Sequence, residues 1–374
     1  MRIRAAVLEQ MGLPPPYTES RPLRIQEVEL DPPGPGEVLV RIAAAGLCHS
    51  DLSVINGDRP RPLPMVLGHE AAGVVEDVGA GVEDLRKGDH VVLVFVPACG
   101  HCLPCAEGRP ALCEPGALAN GNGTLLSGAR RLRRDGEPLN HHVGVSAFAE
   151  YATVSRRSVV KIDPELPLEE AALFGCAVLT GAGAVINTAG VRAGQTVAVV
   201  GLGGVGLCAL LAAVASGARE IVAVDVLPQK LAFARQLGAT ATFDAREENV
   251  VEAIRERTRG GVDFAFELAG TANALELAWA ITRRGGVTVT AGLPHPSARL
   301  PVPIVQLVAE ERTLKGSYIG TAVPARDVPR LIDLYRNGRL PVDRLLSGRL
   351  SLEEINLGFD RLARGEAVRQ VVVP

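Results

Sequence analysis

The first 175 or so residues are written in short apolar runs. EVLVRIAAAG, AAGVVEDVG, DHVVLVFV and FAEYATVS are rich in β-branched residues, and glycines and prolines separate them. This pattern predicts an antiparallel or barrel-like β domain. Residues 112–145 have few apolar runs, several glycines and the basic stretch ARRLRRDG, and read as a long loop. Around residues 163–183 the pattern turns helical, in LPLEEAALFGCAVLTGAGAVI, with acidic residues near its start.

From Gln195 the chain alternates. TVAVVG predicts a strand, GLCALLAAVAS a helix, EIVAVDV a strand and QKLAFARQLG a helix ending at glycine. A strand at VDFAFELAG, a helix at ANALELAWAITR and a strand at GGVTVTAGL follow, and RTLKGSYIG adds a last strand. Repeated strand–helix units of this length imply a parallel, doubly wound sheet. The tail predicts helices at VPRLIDLYRNGRL and LEEINLGFDRLARGE, then a strand at VRQVVV.

Length and charge narrow the classes. A chain of 374 residues suggests two or three domains. Hydrophobic residues at 47% and charged residues at 22% exclude wholesale disorder. The balance of 39 basic and 42 acidic residues argues against a general polyanion binder. Residues 193–218 carry no charge and are long enough to span a bilayer. Their β-branched start and four-glycine break fit a buried strand, a turn and an apolar helix better. No run near the N-terminus suits a signal peptide, so a cytoplasmic, reduced protein is expected, with no membrane partner.

In that compartment, clustered cysteines more often bind metal than pair. Cys99, Cys102, Cys105 and Cys113 have spacings of 2, 2 and 7 intervening residues, which suit a closed tetrahedral structural zinc site. An iron–sulfur cluster, two disulfides and a nucleic-acid zinc ribbon, with Arg130, Arg131, Arg133 and Arg134 nearby, are the competing readings. Cys48, His69 and Cys176 lie far apart, in GLCHSD, LGHEAAG and LFGCAVLTG. Two thiolates and one imidazole would leave a fourth position open, as in catalytic zinc sites. Read singly, each is equally an ordinary buried residue.

Gly201, Gly203, Gly204, Val205 and Gly206 form a G-x-G-x-x-G stretch between the predicted strand and helix, and Asp225 follows 19 residues after Gly206. The glycines allow a tight turn and close approach of a pyrophosphate to the helix N-terminus. Asp225 would accept the ribose hydroxyls and repel a 2′-phosphate, which favours NAD over NADP. Lys230, one helical turn into the next element, would add a further ribose contact.

Taken together, these motifs resemble the zinc-dependent alcohol dehydrogenases of the medium-chain dehydrogenase/reductase superfamily over nearly the whole chain. GLCHSDL, GHEAAGVVEDVG, the four-cysteine lobe, GCAVLTGAG, GLGGVG and VRQVVV carry the resemblance. It implies a GroES-like catalytic domain over 1–177 and 320–374, with the zinc lobe at 97–115. A Rossmann NAD-binding domain over 178–319 is inserted between its halves. It implies two zinc ions per chain: a catalytic one on Cys48, His69 and Cys176, and a structural one on the four cysteines. Asp51 resembles the carboxylate that orients His69, Glu70 a residue near the metal, and Ser50 the hydroxyl that takes the alcohol proton. His49 and Arg369 match pyrophosphate contacts, and Thr180 a nicotinamide neighbour. Phe95, His142, Leu293 and Tyr318 match substrate-pocket walls. Ser53 stands where relatives often carry the last histidine of the proton relay, and His142 where an aromatic or aliphatic wall is common.

The implied activity is reversible, NAD-linked oxidation of an alcohol to an aldehyde or ketone. A thiol-adduct formaldehyde dehydrogenase and a non-catalytic zinc- and nucleotide-binding protein are the alternatives. A small-molecule alcohol or aldehyde is the expected partner, with no nucleic acid. A homodimer joined through the last Rossmann strands is expected, with a tetramer second.

Overall fold

The computed structural model describes all 374 residues. They form two compact units. The first comprises Met1–Cys176, Val323–Pro329 and Asp343–Pro374, and the second Ala177–Ala322 and Arg330–Val342.

In the first unit, strands Arg2–Leu8, Leu23–Leu30, Leu132–Arg134, Glu137–His141 and Met65–Val66 close a small barrel. A seven-stranded sheet lies alongside, with Glu37–Gly46 at its centre, paired to Ala71–Val78 and Tyr151–Ser155. Val38, Val40 and Ile42 point into the core while Arg41 faces water, the period-two alternation of a half-buried strand. The C-terminal strand Arg369–Val373 joins this sheet by pairing Val371 with Gly46 and Val372 with Ala45. That register brings Arg369 beside the segment carrying Cys48.

The segment expected as a loop over 112–145 is largely structured. It contains the helix Glu114–Asn122 and a hairpin, Leu132–Arg134 with Glu137–His141, that completes the barrel. These elements are short and polar, so hydrophobic periodicity does not reveal them. Tertiary contacts hold them. Cys113 Sγ caps the helix by accepting from Gly116 N, and the buried Glu37 accepts from Arg131 Nε at 2.7 Å and Ser127 Oγ at 2.7 Å. The other guanidiniums of the basic run are engaged too. Arg130 donates to Asn140 and Asn122, Arg133 to Asp31, and Arg134 to Gln26 and Glu9. The run is internal bracing rather than a free basic patch.

The second unit is a six-stranded parallel sheet. Its spatial order is Ala241–Asp244, Glu220–Asp225, Thr196–Val200, Val262–Glu267, Thr282–Thr290, Thr313–Gly316, the doubly wound 3-2-1-4-5-6 arrangement. The uncharged stretch around residue 200 resolves into the strand Thr196–Val200 and the helix Gly204–Ala215, and no single helix is long and apolar enough to cross a membrane. The strand Ala241–Asp244 and helix Val250–Arg257 have no counterpart in the sequence reading. The strand has four residues, and three of them are only half-buried, which leaves little apolar signal.

Residues 320–322 and 330–342 pack with this second unit, not with the first as the 320–374 boundary assumed. Leu331, Ile332, Leu340 and Val342 are buried, and Arg339 donates to Ala215 O at 2.9 Å at the end of helix Gly204–Ala215. The cation there satisfies a terminal helix carbonyl, which explains the attachment.

Candidate active site

Four buried groups of the first unit meet at one point. Cys48, His69, Glu70 and Cys176 place their ligand atoms within 4.8 Å of one another. Cys48 is the N-cap of the short helix His49–Ile55, and His69 and Glu70 directly precede the strand Ala71–Val78. Cys176 sits in a break. The apolar stretch expected as one helix splits into Leu168–Ala172, a 3-10 turn and Ala177–Gly183, with Cys176 at φ −142° between them. The interruption frees this cysteine from a helical position.

The electrostatics fit a cation site. His69 Nε2 is buried and has no partner, while Nδ1 lies 3.0 Å from Asp51 Oδ1. The carboxylate therefore fixes the tautomer that leaves Nε2 as a lone-pair donor to a metal. The Cys48 thiol sits well below the usual thiol range, because Cys176 hydrogen-bonds to it and His69 and Arg369 add positive field. Burial works to lower the His69 pKa, but the Asp51 and Cys48 charges outweigh it and hold it well above the usual value. Burial pushes Glu70 up to about 7 against the pull of Arg369. Two thiols and an orphaned imidazole nitrogen in a dry cluster suit zinc.

Asp51 is fully buried, and His142 Nδ1 lies 3.1 Å from the same Oδ1. His142, expected as a substrate-pocket wall, is buried and lies against this carboxylate. Phe95 is half-buried and stands edge-on to His69, with ring centroids 5.2 Å apart. Ser50 is half-buried in the first turn of His49–Ile55. Ser53 Oγ is tied to His49 O at 2.9 Å. Arg369 is buried, donating to Leu47 O at 2.9 Å and Glu70 Oε2 at 2.8 Å.

The four-cysteine lobe holds a second cluster, Cys99, Cys102, Cys105 and Cys113, with all four sulfurs mutually within 4.8 Å. Cys99 N donates to Cys113 Sγ at 3.1 Å and Cys102 N to Cys99 Sγ at 3.3 Å. Backbone N–H groups aimed at sulfur stabilise thiolates, so the loop is built for anionic ligands.

In the second unit, the glycine stretch forms the turn between strand Thr196–Val200 and helix Gly204–Ala215. Gly201 has φ +94°, and a side chain there would strike Ala269 N at 2.6 Å. At Gly203 an added Cβ would meet nothing within 4 Å, so space is open beside the helix N-terminus, where backbone N–H groups favour an anion. Asp225, at the end of its strand, accepts from Leu202 N at 2.7 Å and Leu227 N at 3.0 Å. Its carboxylate is thereby anchored to the glycine turn. Lys230 lies on the following helix, Pro228–Gln236, and Thr180 is buried in Ala177–Gly183. Leu293 and Tyr318 are exposed on this unit.

The sequence reading missed Glu267. It is buried at the end of Val262–Glu267 and accepts from Ala269 N, Gly270 N and Thr290 Oγ1. It braces the turn against which Gly201 packs. A lone acid ending an apolar strand, like Asp225, is the signal that marks it.

Known proteins resemble this chain in sequence and fold. The family model described as an alcohol dehydrogenase GroES-like domain matches residues 34–164, and that described as a zinc-binding dehydrogenase matches 204–337. An NDMA-dependent alcohol dehydrogenase of Amycolatopsis methanolica is 41% identical over 379 residues, covering 100% of this chain and 99% of its own. The crystal structure of an alcohol dehydrogenase zinc-binding domain protein from Burkholderia ambifaria superposes with a TM-score of 0.94 at 39% identity, covering 100% and 99% of the two chains. Benzyl alcohol dehydrogenase from Acinetobacter calcoaceticus superposes with a TM-score of 0.93 at 34% identity, with the same coverage.

Proposed function

The chain belongs to the zinc-binding alcohol dehydrogenases with a GroES-like domain, and from that premise we propose that it oxidises alcohols to aldehydes or ketones, reversibly, with NAD as hydride acceptor. Cys48, His69 and Cys176 hold one zinc ion in this reading, and the four-cysteine lobe holds a second. The observation that carries it is the partnerless, buried His69 Nε2 facing two cysteines, with Asp51 on its other nitrogen.

Zinc on those ligands would act as a Lewis acid toward the alcohol oxygen, and NAD would take the hydride. Ser50, two residues after Cys48, takes the proton released. Asp51 holds the His69 ring. The Ser53 hydroxyl is occupied by the His49 carbonyl, so the proton leaves from Ser50 by another route. The glycine turn and helix Gly204–Ala215 cradle the pyrophosphate, and Asp225 meets the adenosine ribose.

The unit of action is a homodimer. Strand Thr313–Gly316 is exposed along its length at the end of the sheet, and beside it in sequence Ile304, Val305 and Val308 of helix Ile304–Ala309 are 75%, 79% and 72% exposed. An open edge and an apolar helix are liabilities that a second copy removes.

The test is a panel of primary, secondary and aryl alcohols assayed with NAD, with NDMA in place of NAD, and with formaldehyde plus a thiol. NAD reduction by simple alcohols, with about two zincs per chain by metal analysis, supports the reading. Turnover with NDMA alone replaces NAD as the external acceptor. A demand for formaldehyde plus thiol moves the substrate class.

A further inference from the structure

Asp51 serves two imidazoles. Its Oδ1 lies 3.0 Å from His69 Nδ1, 3.1 Å from His142 Nδ1 and 3.3 Å from Gly68 N, while Oδ2 is buried and accepts nothing. His142 Nδ1 is buried and makes no regular hydrogen bond, so its contact with Asp51 Oδ1 is electrostatic. The two rings stand edge to face, with centroids 5.7 Å apart and planes at 84°.

The backbone holds His142 in this place at some cost. Its N–H donates to Ser146 Oγ at 2.9 Å, and that hydroxyl donates to Val66 O at 2.9 Å. In the turn that follows, Val143 and Ser146 have φ of +44° and +56°. Such conformations are unfavourable for a β-branched residue, and they persist where the surroundings over-determine them. Burial lowers the His142 pKa, and the His69 and Arg61 charges add to that, against the pull of Asp51. Asp51 is the anion that His142 Nδ1 faces.

A carboxylate on the outer nitrogen of a ligating histidine raises that ligand's basicity and tightens the metal. A second N–H dipole on the same oxygen draws charge from the carboxylate and weakens its hold on the first.

We propose that His142 is a positioning residue that acts through Asp51 on His69, moderating the donor strength of this ligand and so keeping a more acidic metal centre than Asp51 alone would give. This rests on the reading of Cys48, His69 and Cys176 as zinc ligands.

The test compares full-length His142→Phe and His142→Asn in zinc-loaded and cobalt-substituted protein. Phenylalanine keeps the ring volume and removes the dipole; asparagine returns an N–H near the Nδ1 position. The expected result for His142→Phe is metal loss to a chelator slowed about tenfold, a shifted cobalt visible band, and a lowered kcat with a smaller change in KM. His142→Asn should restore the wild-type spectrum and release rate, and in an Asp51→Asn background His142→Phe should have no further effect. If His142→Phe does not fold, His142→Met carries the same comparison. Wild-type protein that binds cobalt while the variants match it, or all shift alike, overturns the inference and leaves the zinc reading standing. Wild-type protein that takes no cobalt at Cys48, His69 and Cys176 overturns both.

Discussion

Arg369 and Glu70 form an ion pair at 2.8 Å in which both side chains are buried, and it ties the last strand of the chain to the residue after His69. The guanidinium also caps Leu47 O, next to Cys48. The C-terminal strand therefore braces the segments carrying two of the three proposed zinc ligands. Removing one member of a buried pair strands the other charge, at a cost of about 3–5 kcal/mol. Arg369→Leu should lower stability by that order in urea unfolding. Arg369→Leu with Glu70→Leu should recover much of it, because no lone charge remains. A loss below about 1 kcal/mol for the single variant would show that the pair does not brace the centre.

Cofactor choice should follow Asp225. A 2′-phosphate beside its carboxylate would put like charges within a few ångströms, worth several kcal/mol at an effective dielectric near 20. A preference for NAD of about a hundredfold or more follows. Asp225→Gly should weaken NAD and improve NADP with zinc content unchanged. It should also loosen the turn, since Leu202 N and Leu227 N lose their acceptor. Fluorescence titration with both nucleotides decides; equal wild-type affinity for the two would place the ribose elsewhere.

Acid sensitivity should have a component from His141. Burial lowers its pKa to about 3, with Arg130 and Arg131 adding to the effect, and its Nε2 accepts from Arg131 N at 3.0 Å. The unfolded chain binds this proton near pH 6.5, the folded chain near 3. The unfolded state therefore holds the extra proton between those values. Stability is full above pH 6.5 and falls as pH drops through the window, by at most about 1.4 kcal/mol per unit from this group. His141→Gln should flatten that slope relative to wild type in melts between pH 6.5 and 4. Parallel slopes would remove His141 as the cause.

Assembly should depend on the exposed helix and edge strand. Val308→Glu puts a charge into the apolar patch of Ile304–Ala309 and should convert the homodimer to monomer at micromolar concentration, by light scattering. It should leave the zinc content unaltered. A wild-type protein that is already monomeric would refute the dimer.

The sequence by itself determined the parallel sheet, the glycine turn with Asp225, and the identity of the seven candidate metal ligands. Those features are carried by local patterns: uninterrupted apolar strands such as TVAVV, glycines where a side chain cannot fit, and cysteines three residues apart. Tertiary structure decided what local pattern cannot encode. Cys48, His69 and Cys176 meet because three separate elements converge on one point, and nothing in the 106 residues between His69 and Cys176 announces that. The 112–145 segment looked structureless because its helix and hairpin are polar; buried partners such as Glu37 hold them, not periodicity. Residues 330–342 follow the second unit because their apolar face and Arg339 find partners there. His142 acquires its second neighbour, Asp51, through a strained turn that returns the chain to the site from 91 residues away. Spacing in sequence fixes which groups are available, and long-range packing fixes which of them touch.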